Sequence, residues 1–330
     1  TTGSERLIII VGRPDLKLAY SDDGGESWSD FFLLFPDEDF DAFEPPANVI
    51  PIFNSSGNPV NGHFFTVFYS RISDESGSKY GLLITRTYDG GMSWTKPEPI
   101  EVPAELSGLE LVYPALIRSP DKKNIICLCS DYRRNRNNLL LKSTDEGMTW
   151  EFAGETNSEL TGEKHRLIYG KDNQVISVFV KYGKDYTDHP YSLDIVCWLG
   201  HFDDLLDGNE GEYLVRVFEN RGNNRNTGSS GLHFLKDGSI VVISSTILKD
   251  GEKGRIASFS FQKEDLERVS DIPVPEEIEV FYSGMSDYHT FRIPALLTTL
   301  NGTVLAFAEG RAGLSDQSGN DIVFRRSLDH

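Results

Sequence analysis

Cysteine and methionine are scarce in this sequence, at three residues each in 330, and tryptophan occurs four times. The odd cysteine count, with Cys127 and Cys129 two apart in "NIICLCS" and Cys197 alone, excludes a disulfide framework and the spacing of a zinc site. Buried free thiols are expected instead, because cysteine packs as a small hydrophobe. Positive charge is also short. Thirty-two Lys and Arg stand against fifty-one Asp and Glu, a net charge of −19, which argues against a nucleic-acid binder because phosphate contacts need a basic excess. No apolar run is long enough to span a bilayer, and the opening "TTGSERLIII" lacks a signal-peptide layout. His165, His189 and His289 show no paired spacing, so neither a catalytic metal nor another cofactor is expected. Against these absences stand 38% hydrophobic and 11% aromatic residues, enough to build a buried core.

What the chain does contain is a repeat. "SDDGGESW" at 21–28, "TYDGGMSW" at 87–94 and "STDEGMTW" at 143–150 share the pattern Ser/Thr-x-Asp-x-Gly-x-Ser/Thr-Trp. Its physics is that of a hairpin turn: Asp accepts backbone N–H bonds, Gly takes a left-handed conformation, and Trp is an apolar plug. Two short β-rich runs precede each copy, as in "FFTVFYSR" then "GLLITRTYDGG", or "NIICLCSDYRR" then "LLLKSTDEG". The same rhythm continues without the turn near 174–202 and 239–261, and again in "FRIPALL…TVLAFAEGR…DIVFRRSLDH". Six units of roughly fifty residues, each with up to four strands, predict an all-β, six-bladed β-propeller. The acidic stretch "KEDLERV" at 263–269 is the one candidate for a helical turn. No Pro/Ser-rich linker interrupts the chain, so residues 1–330 are read as one domain.

The three turns together with "FRIPALL" resemble the sialidase (neuraminidase) superfamily, whose six-bladed propellers carry such Asp boxes, or BNR repeats, between outer strands. The order is rotated. The Phe/Tyr-Arg-Ile-Pro blade that typically opens a sialidase begins here near residue 280, and the unit at 1–35 is similar to the second sialidase blade without its first strand. The resemblance therefore implies a permuted arrangement with an incomplete blade at the seam, and a secreted or extracellular setting.

Sialidases bind a sugar carboxylate with three arginines and use an Asp acid/base with a Tyr nucleophile paired to Glu. The guanidinium matches a carboxylate with two hydrogen bonds, and the Asp supplies a proton to the leaving oxygen. On this resemblance Arg292 of "FRIP" is the first arginine, Arg311 of "AEGR" the supporting one, and Asp316 the acid/base. The family's Glu falls near Tyr113, with Glu110 three residues earlier. Its second arginine falls near Ser130, with Arg133 and Arg134 following, and its third near Tyr191 and Ser192. The tyrosine position falls on Ser229. A second carboxylate facing Asp316, for which Glu44 and Asp41 are candidates, would suffice for hydrolysis without a tyrosine.

In a propeller, ligand groups come from the start of the innermost strand and the end of the second. Second-strand ends here carry Arg13, Arg71, Arg133, Lys181 and Arg311, and the loop "ENRGNNRNTGSSG" adds Arg221 and Arg225. These cations in an acidic protein would focus an anionic ligand, although strand ends are also commonly capped by Arg or Lys paired to nearby acids. Two functions follow: a glycoside hydrolase acting on an anionic sugar, sialic-acid-like or uronic, or a non-catalytic glycan-binding propeller. Either way the expected partner is carbohydrate, with neither nucleic acid nor a membrane span involved. Plain protein-interaction scaffolding is the third possibility.

Overall fold

The computed structural model describes residues 6–12, 15–36, 45–74, 77–182, 192–219, 229–246, 255–267, 278–315 and 318–327. The β-branched and aromatic runs form six antiparallel sheets, each a meander in which sequence neighbours pair. The expected six-bladed β-propeller is the fold. The chain divides into two compact units, residues 1–160 with 205–209, and residues 161–204 with 210–330.

The first unit holds three sheets. One comprises β1 (Leu7–Val11), β2 (Lys17–Ser21) and β3 (Phe32–Leu33). The next comprises β4 (Ile50–Phe53), β5 (Pro59–Asp74), β6 (Gly77–Thr87) and β7 (Glu98–Pro99). The third comprises β8 (Leu111–Arg118), β9 (Ile125–Asp131), β10 (Leu139–Ser143) and β11 (Glu151–Glu155). All seven residues of β9 are buried, so the continuous apolar run reads as a strand packed on both faces. Cys127 and Cys129 lie in this strand, fully buried and reduced, as expected.

The three repeated turns share one hydrogen-bond scheme. The hydroxyl of Ser21, Thr87 or Ser143 donates to the Asp Oδ1 at 2.7–2.8 Å and accepts the N–H of Gly25, Gly91 or Gly147 at 2.9 Å. The same Asp Oδ1 takes two further backbone N–H bonds at 2.9–3.0 Å, and Oδ2 takes the hydroxyl of Ser27, Ser93 or Thr149 at 2.5–2.6 Å. For Asp89, burial raises the carboxyl and the bonds from Ser93, Thr87 and Met92 outweigh it, holding it at about 2. The turn tryptophans Trp28, Trp94 and Trp150 are only half-buried; the fully buried one is Trp198.

The second and third turns also reach the preceding sheet. Gly91 has φ of +92°, and a Cβ there would come within 2.4 Å of Ile8 Cδ1. A Cβ on Gly147 would meet Phe65 at 3.0 Å. Glu146 occupies the position of Gly24 and Gly90, with a left-handed φ of 61° that a non-glycine adopts at a cost. Its carboxylate offsets that cost by pairing both oxygens with Arg118, at 2.6 and 2.8 Å, and accepting the Phe53 N–H at 3.0 Å. Arg86 completes the junction by donating to the carbonyls of Glu146 and Gly147. Asn48 adds a second staple, its side-chain amide exchanging two hydrogen bonds with the Leu116 backbone.

The second unit repeats the plan. Its sheets are β12 (Gly162–Tyr169), β13 (Val175–Lys181), β14 (Ile195–Gly200), β15 (Tyr213–Phe218); then β16 (Ser230–Phe234), β17 (Ile240–Thr246), β18 (Arg255–Phe261), β19 (Ile278–Phe281); then β20 (Thr290–Thr298), β21 (Val304–Arg311), β22 (Asn320–Ser327). "KEDLERV" supplies a short helix at Lys263–Glu267, and another, not foreseen, spans Phe202–Asp207. Cys197 in β14 is buried, and burial pushes its thiol well up.

His165 is fully buried, its ring stacked on Phe179 at 4.2 Å and its Nδ1 2.9 Å from Ser177 Oγ. Burial first, and then the Lys181 ammonium, push the imidazole down to about 3. Lys181, one of the strand-end cations, is itself buried and donates from Nζ to the carbonyls of Thr161 and Tyr182 at 3.1 and 3.3 Å.

Two outcomes follow for stability. Glu146→Ala leaves Arg118, whose side chain is 10% exposed, without its counter-charge; a loss of about 2–3 kcal/mol is expected in urea unfolding, below the full buried-pair cost because Glu146 keeps some solvent contact. An unfolded histidine binds its proton near 6.5 whereas folded His165 does so only near 3, so protonation favours the unfolded chain. His165 therefore costs no stability above pH 6.5 and an increasing amount as pH falls toward 3. His165→Gln should flatten that acid slope by about 1.4 kcal/mol per pH unit, measured as unfolding free energy against pH.

Candidate functional site

Two clusters of sequence-predicted residues are described, one in each unit. In the second unit, Arg292 near the head of β20 stands directly opposite Glu309 of β21, and Thr290 opposite Arg311. Alternation along the strands puts Arg292, Glu309 and Arg311 on one face. Arg311 is 2% exposed and grips Glu309 Oε2 through Nε at 2.9 Å and Nη2 at 2.6 Å. A guanidinium held this way is fixed in direction. The trio carries one net positive charge, at the end of β21. On the opposite face of the sheet, the Tyr288 hydroxyl donates to Asp321 Oδ2 at 2.7 Å, and its ring lies against Gly310.

Arg292 precedes a β-bulge, which places Ile293 in the left-handed region with φ of 55°. The same irregularity recurs at Tyr113 in β8 (φ 53°) and Lys164 in β12 (φ 58°). A bulge re-aims side chains at a strand head, and here it marks the innermost strand of three sheets. Two of the three bulged residues precede proline, in "YP" and "IP".

The first-unit cluster is aromatic. Tyr69, Arg71 and Tyr80 share a face of β5–β6, with Arg71 opposite Tyr80 in register. Tyr69 meets Tyr113 edge-on at 5.0 Å and Tyr80 at 5.8 Å, and Tyr80 leads to Tyr132 at 4.8 Å. The Arg71 guanidinium lies over the Tyr80 ring at 5.5 Å. Glu110 ties the group together: Oε2 accepts the Tyr80 N–H at 3.0 Å, its carbonyl accepts the Tyr132 N–H at 2.8 Å, and Oε1 faces Arg133 at 3.9 Å. A cavity of about 300 Å³ borders Tyr80, walled by Ile72, Leu82, Ile100, Val102 and Leu106.

The remaining predicted residues, Asp316, Glu44, Arg13 and Arg225, with Asp41, Arg221 and Tyr191, lie outside the described residues. Ser130, at the second-arginine position, is buried, and Ser229, at the tyrosine position, has a left-handed φ of 64°. Glu309 was missed, although its place two residues before Arg311 in "AEGR" puts both on one strand face. The tyrosine cluster was missed because its members come from four separate segments. Among the described residues, no group of three His, Cys, Asp or Glu side chains is placed to hold a metal.

This architecture is a six-bladed β-propeller, and comparison with solved structures agrees on that fold. A segment of 92 residues is 34% identical to an exo-alpha-sialidase of Arthroderma benhamiae, spanning 27% of this chain and 21% of that protein. The match thus covers about a fifth of that relative's length. The intramolecular trans-sialidase from Ruminococcus gnavus superposes with a TM-score of 0.56 at 10% identity, over 97% of this chain and 91% of that one. A protein of unknown function from Dyadobacter fermentans gives 0.59 at 15% identity, over 99% and 85%. No family model matches the chain.

The Arg311–Glu309 pair should be structural as well as positional. Glu309→Gln keeps the shape but removes the charge facing a buried guanidinium, and should cost about 2–4 kcal/mol. Thermal unfolding of the variant beside Glu309→Asp, which retains the charge and should lose less, checks this.

Proposed function

We propose that this chain is a sialidase-like glycoside hydrolase acting on an anionic sugar. Arg292, oriented beside the fixed Arg311, receives the sugar carboxylate. Asp316 acts as acid/base, protonating the leaving glycosidic oxygen, and Glu44 serves as the second carboxylate that activates water or stabilises the oxocarbenium-like transition state. Arg71, Arg133, Arg13 and Arg225 contribute positive potential for an anionic substrate. The observation that carries this reading is the buried Arg311 locked on Glu309 and facing the same side as Arg292. Maintaining a strand pair alone does not call for a desolvated guanidinium at that strand end. The 92-residue likeness to an exo-alpha-sialidase supports the same chemistry.

A second reading, a non-catalytic glycan-binding propeller, is favoured by Ser229. It stands where a sialidase places its nucleophilic tyrosine and offers no phenol.

A panel of chromogenic α-sialosides and uronides separates the two. Under the hydrolase reading the wild type turns over at least one of them. Asp316→Asn lowers kcat by about a hundredfold or more through loss of the proton donor. Arg292→Ala lowers kcat/KM by about thirtyfold or more through loss of a charged carboxylate contact. Glycan-array binding without turnover of any substrate would overturn the hydrolase and leave the binding module.

A further inference from the structure

The tyrosine cluster of the first unit sits on different elements from the Arg292–Glu309–Arg311 trio and invites its own assignment. Tyr132 is 46% exposed, a large aromatic surface left open to solvent. Its ring continues a chain of tyrosines that runs inward through Tyr80 and Tyr69 to the bulged Tyr113. Open aromatic faces are the usual partners of the C–H faces of sugar rings, and a phenol adds a polar edge at little entropic cost.

The charge around these rings is sorted by depth. Asp131 is 2% exposed and its carboxylate accepts the backbone N–H groups of Arg133 and Asn135. Glu110, with 20% of its side chain exposed, is engaged by the Tyr80 N–H. The outward charges on this face are cationic: Arg71 is exposed, and the Arg133 side chain is 70% exposed. Among the described residues Arg71 makes no ion pair, and Arg133 faces Glu110 only at 3.9 Å. In a chain of net charge −19, a surface where the carboxylates are turned inward and two cations outward is built against the trend.

We infer that Tyr80 and Tyr132, flanked by Arg71 and Arg133, form a saccharide-binding shelf for an acidic sugar residue, the ring stacking on the exposed phenol and its anionic group lying between the two guanidinia. The group recognised is a carboxylate or a sulfate ester. Glu110 is the positioning residue, since its side chain and carbonyl hold the backbone of both stacking tyrosines. The shelf adds a binding subsite to the glycan-directed function proposed above and stands whether or not hydrolysis does, because its stacking tyrosines take no part in the Asp316 chemistry, and Arg71 and Arg133 lend that chemistry only positive potential.

Isothermal titration with three probes tests the assignment: a glucuronate-terminated disaccharide, its neutral glucose-terminated counterpart, and a sulfated counterpart. Wild type should prefer an acidic probe over the neutral one, and the preference should fall with added salt. The stronger of the two acidic probes identifies the anionic group. Tyr132→Ala should weaken binding of that probe by about tenfold, the usual scale of a lost stacking contact. The double variant Arg71→Ala/Arg133→Ala should bring the acidic and neutral affinities together. All these side chains reach solvent, and unfolding midpoints close to wild type confirm intact folds. Equal affinities across the variants, or no preference between acidic and neutral probes, would overturn the shelf. Repeating the titration with Asp316→Asn separates the two assignments. Tyr132-dependent binding that survives there supports the shelf independently of turnover. Wild-type turnover with binding indifferent to Tyr132 would sink the shelf and leave the hydrolase standing.

Discussion

The structure depends on a carboxylate in a turn. In each of three sheets one Asp gathers two backbone N–H groups and two hydroxyls within eight residues, so a reversal of direction that would leave several donors unmet is satisfied internally. A closed local network lets the following glycine approach the preceding sheet. Ile8 touches one such glycine and Phe65 another. Local hydrogen bonding and contact between sheets are thus one device. Where the third copy replaces the flexible residue with Glu146, the lost freedom is exchanged for a strong ionic junction with Arg118 and Phe53.

The same economy governs the strand heads. Innermost strands of three sheets carry a bulge with a non-glycine residue in the left-handed region, and next to it sits Arg292 in one sheet, Val112 in another and Glu163 in a third. The scaffold repeats while the chemistry it presents changes from cation to apolar to acid. Function in this fold is written at a few re-aimed positions, which is why a shared propeller does not by itself fix an activity.

Much of the fold was legible beforehand. The pattern of 21–28, 87–94 and 143–150 announced hairpin turns, and the paired apolar runs announced the strands that flank them. Three things were hidden. The bulges were invisible because Tyr113, Lys164 and Ile293 are residues that ordinarily avoid a positive φ. Lys181 read as a strand-end cation like Arg71, but its ammonium turns inward onto the carbonyls of Thr161 and Tyr182. The tyrosines converge only through tertiary structure, since 69, 80, 113 and 132 have no spacing in common. At the site, "FRIP" and "AEGR" pointed to Arg292 and Arg311 individually; that Glu309 holds Arg311 follows from strand alternation and needed the pairing to be seen.

The three sealed thiols give the molecule an internal reporter. Cys127 and Cys129 lie in the interior of one unit and Cys197 in the interior of the other, each with no surface in contact with solvent. A thiol-selective label added to native protein therefore meets nothing until a sheet parts, and the rate at which each cysteine is modified follows the opening of its own unit. The chain carries its own means of telling whether its two halves loosen together or apart, without a single engineered residue.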